Sequence, residues 1–457
     1  MKSLRGRCCL LLSLALVPGV ALPDMAIAQA QAQAGVGAVP GTRPASTPES
    51  MQELAAIVVE NNPQVMAQRA AVRALEERRG IARSGYLPTV EANGLAQRRR
   101  LDFYDGTADS SFTALQGGIE GRWRVFDGLR TPNLVKVSHA ELDAGRAVLD
   151  DTISAILLDL LQTTADVRRD RQVLGYVQQQ HDAIAEQLRG TSRRLSVGEA
   201  TRTDQNQAEA RLATSAAGIL AATEELEANG SVFEAVSGRP AATAPALPPL
   251  APLPGSLEEA LAIAQAENPR LRAAKDTARA AQSGVSVARA ALSPTVDLVA
   301  GYEYLSGGVA NLFTGRLPTD RSALYGGAEA RVPIFFGGRN VAEVRRSRAV
   351  SDQRMSQVSD TSRAVAQDVT TAWARWKAAT ATITAARAAV AANEKAADGV
   401  RKEAIGGSRT VLDTLDAENE LLSARVTLER ALRNEYVARA AVLAATGRLV
   451  PEAILAS

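Results

Sequence analysis

The chain is poor in cysteine, histidine and aromatic residues, and it has no excess of charge of either sign. Its only cysteines are Cys8 and Cys9. Both lie in a segment with Lys2, Arg5 and Arg7 in front, an apolar run over residues 8–22, and Ala26-Ile27-Ala28 before Gln29. That pattern reads as a secretory signal peptide over residues 1–28. The run falls short of the ~20 residues that a spanning helix needs. A lipoprotein would need its cysteine after the apolar run, and these two precede it. Removal of the leader leaves no thiol, which excludes disulfides, thiolate metal sites and a cysteine nucleophile. The only histidines, His139 and His181, have no cysteine to combine with, and no P-loop, GxSxG or HExxH motif occurs. These absences argue against an enzyme, and no cofactor or metal is expected. The formal charge is +2, with both signs interspersed, so no nucleic-acid surface is expected. Beyond residue 22 no apolar run is long enough for a transmembrane helix. A membrane part would have to be a β-barrel.

What the sequence does contain is an internal repeat. Ser50, Asn62-Pro63 and Pro88 recur as Ser256, Asn268-Pro269 and Pro294, at a constant spacing. Gly128, Arg130, Asp204, Glu209 and Gly238 recur as Gly337, Arg339, Asp413, Glu418 and Gly447, three residues further apart. The slip falls between Pro88 and Gly117 and marks a difference in loop length. The expected organisation is a low-complexity disordered segment over residues 29–49 and a first repeat over 50–238. A Pro-rich linker over 239–255, a second repeat over 256–450 and a tail over 451–457 follow.

Each repeat has the same plan. A helix opens at Ser50 or Ser256, is interrupted at Asn-Pro, and ends near Pro88 or Pro294. A Gly-rich segment follows that holds most of the chain's aromatics: Tyr86, Phe103, Tyr104, Phe112, Trp123 and Phe126, then Tyr302, Tyr304, Phe313, Tyr325, Phe335 and Phe336. Leu324, Gly326, Ala328, Ala330 and Val332 alternate with Tyr325, Gly327, Glu329 and Arg331, so two strands per segment are expected, joined by polar loops over 98–110 and 306–321. Residues 133–239 and 334–450 contain no proline and are rich in good helix formers. Ile153, Leu157, Leu160, Thr164, Val167 and Leu174 follow coiled-coil spacing. Glycine breaks each stretch once, at Val197-Gly198 and at Gly406-Gly407, which makes two helical hairpins. An arm over residues 133–196 would be ~96 Å long.

The fold class is therefore mainly α with a small β part. Four strands cannot close a barrel, because the smallest has about 8, and open edges are not tolerated in lipid. Several chains must share one barrel if the strands are membranous, with the hairpins forming a tube below it.

The repeat, the twin Asn-Pro marks, and the turns Val197-Gly198-Glu199-Ala200-Thr201-Arg202-Thr203-Asp204 and Gly406-Gly407-Ser408-Arg409-Thr410-Val411-Leu412-Asp413 resemble the TolC family of outer-membrane efflux and secretion ducts. The resemblance covers residues 50–448. It implies a homotrimer with a 12-stranded β-barrel on an α-helical barrel, located in the outer membrane with the helices in the periplasm. Implied partners are outer-membrane lipid, a periplasmic adaptor (membrane fusion) protein and an inner-membrane ABC or proton-driven transporter.

It also implies roles for particular residues. Val197, Gly198 and Glu199, with Gly406, Gly407 and Ser408, match the tips that contact the adaptor; the plainer reading is that glycine ends a helix. Asp413 and Asp416, three apart on one helix face, match carboxylates that line the periplasmic aperture; otherwise they are a solvated pair near a helix N-terminus. Arg409 and Asp204 match a pair that closes the aperture; otherwise each caps its own tip. Ala404 departs from the best-known members of the family, which have a tyrosine in that gating network. Trp123, Tyr302, Tyr304 and Phe335 are candidate membrane-belt aromatics, or else pack strand on helix.

Residues 197–212 look most like the type I secretion subgroup, with small-molecule or multidrug efflux as the alternative. A secreted structural coiled-coil protein is the reading from a different class, and it leaves the aromatic strands unexplained.

Overall fold

The computed structural model describes residues 50–101, 110–306, 320–406 and 408–454. The signal peptide, the segment over residues 29–49, the loop aromatics Phe103, Tyr104 and Phe313, and Gly407 fall outside them.

The repeat is explicit in element lengths. Helices α1 (Met51–Asn61) and α5 (Leu257–Glu267) have 11 residues each. Helices α2 (Pro63–Ser84) and α6 (Pro269–Ala290) have 22. The long arms α3 (Arg130–Ser196) and α7 (Arg339–Ile405) have 67, and the return arms α4 (Arg202–Ser237) and α8 (Val411–Thr446) have 36. A 67-residue helix runs ~100 Å. α3 starts three residues before its proline-free stretch, and α7 starts five residues inside its own. Pro132 is accommodated in the first turn of α3, where its missing N–H has no partner to lose.

Local chemistry sets the boundaries. Ser50 and Ser256 cap α1 and α5, each accepting the amide of the glutamate three residues on at 3.2 Å. The Asn-Pro marks restart the helix: Asn62 accepts from Gln64 N at 2.9 Å and Asn268 from Leu271 N at 3.1 Å, and the proline takes N1.

The short helices stack end to end against the long ones. α2 and then α4 lie along α3, and α6 and then α8 lie between α3 and α7. The chain is thus a row of helices with two open flanks, α2/α4 on one side and α7 on the other. The joint between α6 and α8 is made by the buried Asn268, whose Nδ2 donates to Ala445 O at 2.9 Å while its Oδ1 caps α6. Gly447 ends α8 at φ 79°, and a Cβ there would lie 2.8 Å from Glu267 O.

The core sits at this mid-height. Met51, Leu54 and Val58 of α1 pack with Leu157, Leu160 and Leu161 of α3, Phe233 of α4 and Leu443 of α8. Each such buried side chain contributes about 1.5–3 kcal/mol. The Pro-rich linker is strapped onto this core. Ala251 N donates to Ala453 O at 3.1 Å, Tyr436 Oη to Pro248 O at 3.1 Å, and Arg439 to Leu250 O at 3.0 Å. Burial pushes the Tyr436 phenol up, which keeps it a donor. Residues read as a tail join in, since Ile454 is fully buried. In the second repeat Ala260, Leu271, Val369, Trp373 and Val442 form the counterpart cluster.

At one end the strands β1 (Thr89–Leu101), β2 (Ser110–Phe126), β3 (Thr295–Ser306) and β4 (Asp320–Arg331) form one antiparallel sheet in the order β1-β2-β3-β4. Among the described residues β1 and β4 have no further partner, so both edges are open. Among them, too, no helix is long and apolar enough to cross a membrane.

Candidate functional site

The sheet register sorts the strand residues onto two faces of opposite character. Val90, Ile119, Tyr302 and Leu324 share one face with Leu115, Trp123, Leu298 and Tyr304. These apolar side chains are exposed in the single chain, Leu324 to 85%. The other face carries Glu91, Gln116, Glu120, Arg122, Arg124, Asp297, Glu303, Tyr325 and Glu329. Ion pairs and hydrogen bonds tie it across the strands: Arg122 to Glu329 at 3.3 Å, Arg124 to the buried Asp297 at 2.8 Å, and Tyr325 Oη to Glu120 at 2.9 Å; within β2, Arg122 also pairs with Glu120 at 2.8 Å. Gly301 makes room for the Tyr325 ring, which a Cβ would meet at 2.6 Å. Strands of 12 to 17 residues are long enough to span, since ~9–11 suffice. Apolar outside and polar inside is the pattern of a transmembrane barrel wall.

Trp123, Tyr302 and Tyr304 are on the apolar face, exposed to 45, 49 and 43%. The Trp123 indole donates to Tyr86 O at 3.0 Å, near the helical end of the sheet. Phe335 lies in the connection from β4 to α7 rather than on a strand, and is 82% exposed.

The hairpin turns lie at the far end of the helices from the sheet. In the first, Gly198 takes φ 85° and Glu199 N returns to Arg194 O at 2.8 Å, leaving Val197 exposed. In the second, Gly406 stays right-handed at φ −74°, while Ser408 N and Oγ both donate to Glu403 O at 3.0 Å. The two tips are held side by side. Ile184, Val411 and Leu415 form a small cluster with Leu212, and Arg211 of α4 pairs with Asp416 of α8 at 2.9 Å.

Asp204 and Asp413 perform the same task in the two repeats. Asp204 Oδ2 accepts from Thr201 N at 2.9 Å and Oγ1 at 2.8 Å, and Asp204 N donates back to Thr201 Oγ1 at 3.1 Å. Thr410 and Asp413 repeat this at 3.0, 2.8 and 3.2 Å. Each is a capping box. The donated threonine amide holds both carboxyls below the usual aspartate range, with the threonine hydroxyl and then Arg194 or Arg409 adding to it. Arg409 donates to Glu403 Oε2 at 2.9 Å, which raises its guanidinium further. Within one chain, therefore, Arg409 and Asp204 are not brought together: each is engaged by a residue of its own tip. Asp413 and Asp416 do share the first turns of α8, but Asp416 has Arg211 as its partner. Sequence reasoning missed that pair, which joins residues 205 apart. The equivalence of Asp204 and Asp413 was visible in the repeat spacing.

A sheet with one apolar and one polar face, set on helical hairpins ~100 Å long, defines a class: an outer-membrane channel with a β-barrel and a helical barrel. The chain belongs to the outer membrane efflux protein family, the TolC family, which matches residues 54–232 and 260–448. It is 32% identical over 393 residues to outer membrane efflux protein BepC of Brucella suis, covering 86% of this chain and 84% of that one. It is 23% identical to alkaline protease secretion protein AprF of Pseudomonas aeruginosa, covering 82% and 79%. Among solved structures, the outer-membrane channel OprN superposes with a TM-score of 0.74 at 20% identity, over 86% of this chain and 89% of that one. The protein is an outer-membrane efflux or secretion channel.

Proposed function

We propose that three copies of this chain form the passive exit duct of a tripartite export system, and that its cargo is protein delivered by a type I secretion transporter. The sheet carries this reading. Four strands with two open edges cannot stand in lipid alone, and three copies give a 12-stranded barrel within the range of known barrels. The open helix flanks α2/α4 and α7 then meet around the ring and continue the barrel as a tube. The tips present Val197, Gly198 and Glu199, with Gly406, Gly407 and Ser408, to the hairpin of a periplasmic adaptor. Asp413 and Asp416 repeat around the axis as carboxylate rings at the aperture, and Arg409 of one chain closes it against Asp204 of the next. Trp123, Tyr302, Tyr304 and Phe335 anchor the barrel at the lipid interfaces. Energy comes from the inner-membrane transporter, and the duct itself performs no catalysis.

The sequence of the first tip supports protein secretion, as does the likeness to AprF, whose name assigns it to protease secretion. The higher identity to BepC, named an efflux protein, favours small-molecule efflux as the second reading. Deleting the gene separates them. Loss of specific proteins from the culture medium, with unchanged sensitivity to toxic small molecules, supports secretion; the reverse result replaces it with efflux.

A further inference from the structure

At the junction of sheet and helices a cavity of about 310 Å³ is lined by Arg124, Arg130, Arg331 and Arg339, with Asp127 the only carboxylate among the described residues that line it and Phe336 on its wall. From this geometry we propose that the cavity is an anion site that takes a phosphate or phosphate-ester group.

Two of the guanidiniums are already matched: Arg124 by Asp297 at 2.8 Å and Arg331 by Glu329 at 2.6 Å. Arg130 and Arg339 form no ion pair among the described residues. They are repeat equivalents, the first residues of α3 and α7. Glu343, one turn along α7, is held by Arg346 at 2.6 Å. Planar guanidiniums converging on one cavity are the arrangement that recognises phosphate oxygens.

The repeat shows what the missing group resembles. At the start of α3, Asp127 Oδ2 accepts from Thr131 N at 2.7 Å and Thr131 Oγ1 at 2.5 Å. An oxyanion thus sits on the positive end of that helix. The equivalent of Asp127 in the second repeat is Phe336, and among the described residues no side chain caps α7. An incoming phosphate would hold at α7 the position that Asp127 holds at α3, with Arg339 and Arg130 beside it. Close packing keeps the cavity in shape: Gly128, at φ 67°, lets the entry to α3 approach Ala290 O, which a Cβ would meet at 2.9 Å. Asn340 Nδ2 ties α7 to Ala291 O at 2.9 Å.

The same chemistry could come from a solute or from a phospholipid headgroup. Arg124 and Arg331 stand on the polar face of the sheet, which favours a solute. The site is built within one chain, so it stands or falls apart from the duct reading. The test is calorimetric titration of the purified full chain, in non-ionic detergent at low ionic strength, with inorganic phosphate. Saturable binding of one phosphate per chain is expected, weakened about tenfold or more in Arg339→Gln and retained in Arg339→Lys. Phe336→Asp places a carboxylate where Asp127 stands in the other repeat, and is expected to abolish binding. A thermal unfolding scan checks that each variant folds, and Arg130→Gln serves if Phe336→Asp does not. Displacement of bound phosphate by short-chain phosphatidylglycerol, but not phosphatidylcholine, assigns the site to a lipid headgroup; no displacement by either assigns it to a solute. Absence of saturable binding to the wild type, or equal binding by wild type and Phe336→Asp, overturns the proposal.

Discussion

Asn268 caps two helices at once: its side-chain oxygen starts α6 at Leu271 N, and its side-chain nitrogen ends α8 at Ala445 O. The two helices thereby act as one rod between α3 and α7. Asn268→Ala leaves both ends uncapped in a buried place and is expected to cost about 1–3 kcal/mol. Gly447→Ala adds a clash with Glu267 O and a left-handed alanine, with a loss of at least about 1 kcal/mol. Thermal unfolding of each variant checks both.

The tips carry a pH dependence of known sign. Asp204 and Asp413 are depressed by their threonines. Their contribution is therefore fully present above the unfolded aspartate value, about 3.9, and is lost as pH falls through the lower folded values. Protection of the amides in the first turns of α4 and α8, corrected for the intrinsic exchange rate at each pH, should be full at neutral pH and fall below about pH 4. Asp413→Asn should already exchange faster at neutral pH and respond less to acid. Thr410→Ala, which removes the cap, is expected to cost about 1 kcal/mol.

Arg211 pairs with Asp416 at 2.9 Å, so the proposed aperture would carry less negative charge than a count of its aspartates suggests. The pair is exposed and worth about 0.2–1 kcal/mol. Its removal should hardly alter stability. Arg211→Gln should instead raise cation preference in conductance measurements, and Asp416→Ala should lower it. Equal selectivity in the two variants would remove Asp416 from the aperture.

The faces of the sheet make opposite predictions for neighbouring residues. Leu324→Arg puts a charge on the lipid face, at about 2–4 kcal/mol if it lies near the midplane, and should abolish heat-resistant oligomers in membranes. Glu329→Gln, on the polar face, should preserve them. Semi-denaturing gels of membrane fractions distinguish the two.

Much of this was legible in the sequence because it is periodic or local. Proline-free stretches broken at Gly198 and at Gly406-Gly407 pointed to the hairpins, Asn-Pro to the helix restarts, and alternation around Tyr325 to the strands. Contacts between residues distant in the chain were not legible. Asn268 with Ala445, Arg211 with Asp416 and the arginines around Phe336 are brought together by strand pairing and by the packing of α3, α4, α6, α7 and α8, and each is an ordinary polar residue in its own stretch. The spacing that equates Asp204 with Asp413 was in view, but a carboxylate at N3 reads alike whether it caps a helix or faces an aperture.

The most direct measurement is single-channel conductance of the purified protein in planar bilayers, wild type beside the Asp413→Ala/Asp416→Ala double variant. The duct with aspartate rings predicts that wild type inserts and conducts with cation preference, and that the variant conducts with that preference reduced. Folded protein that stays soluble without detergent and never inserts would contradict the barrel itself.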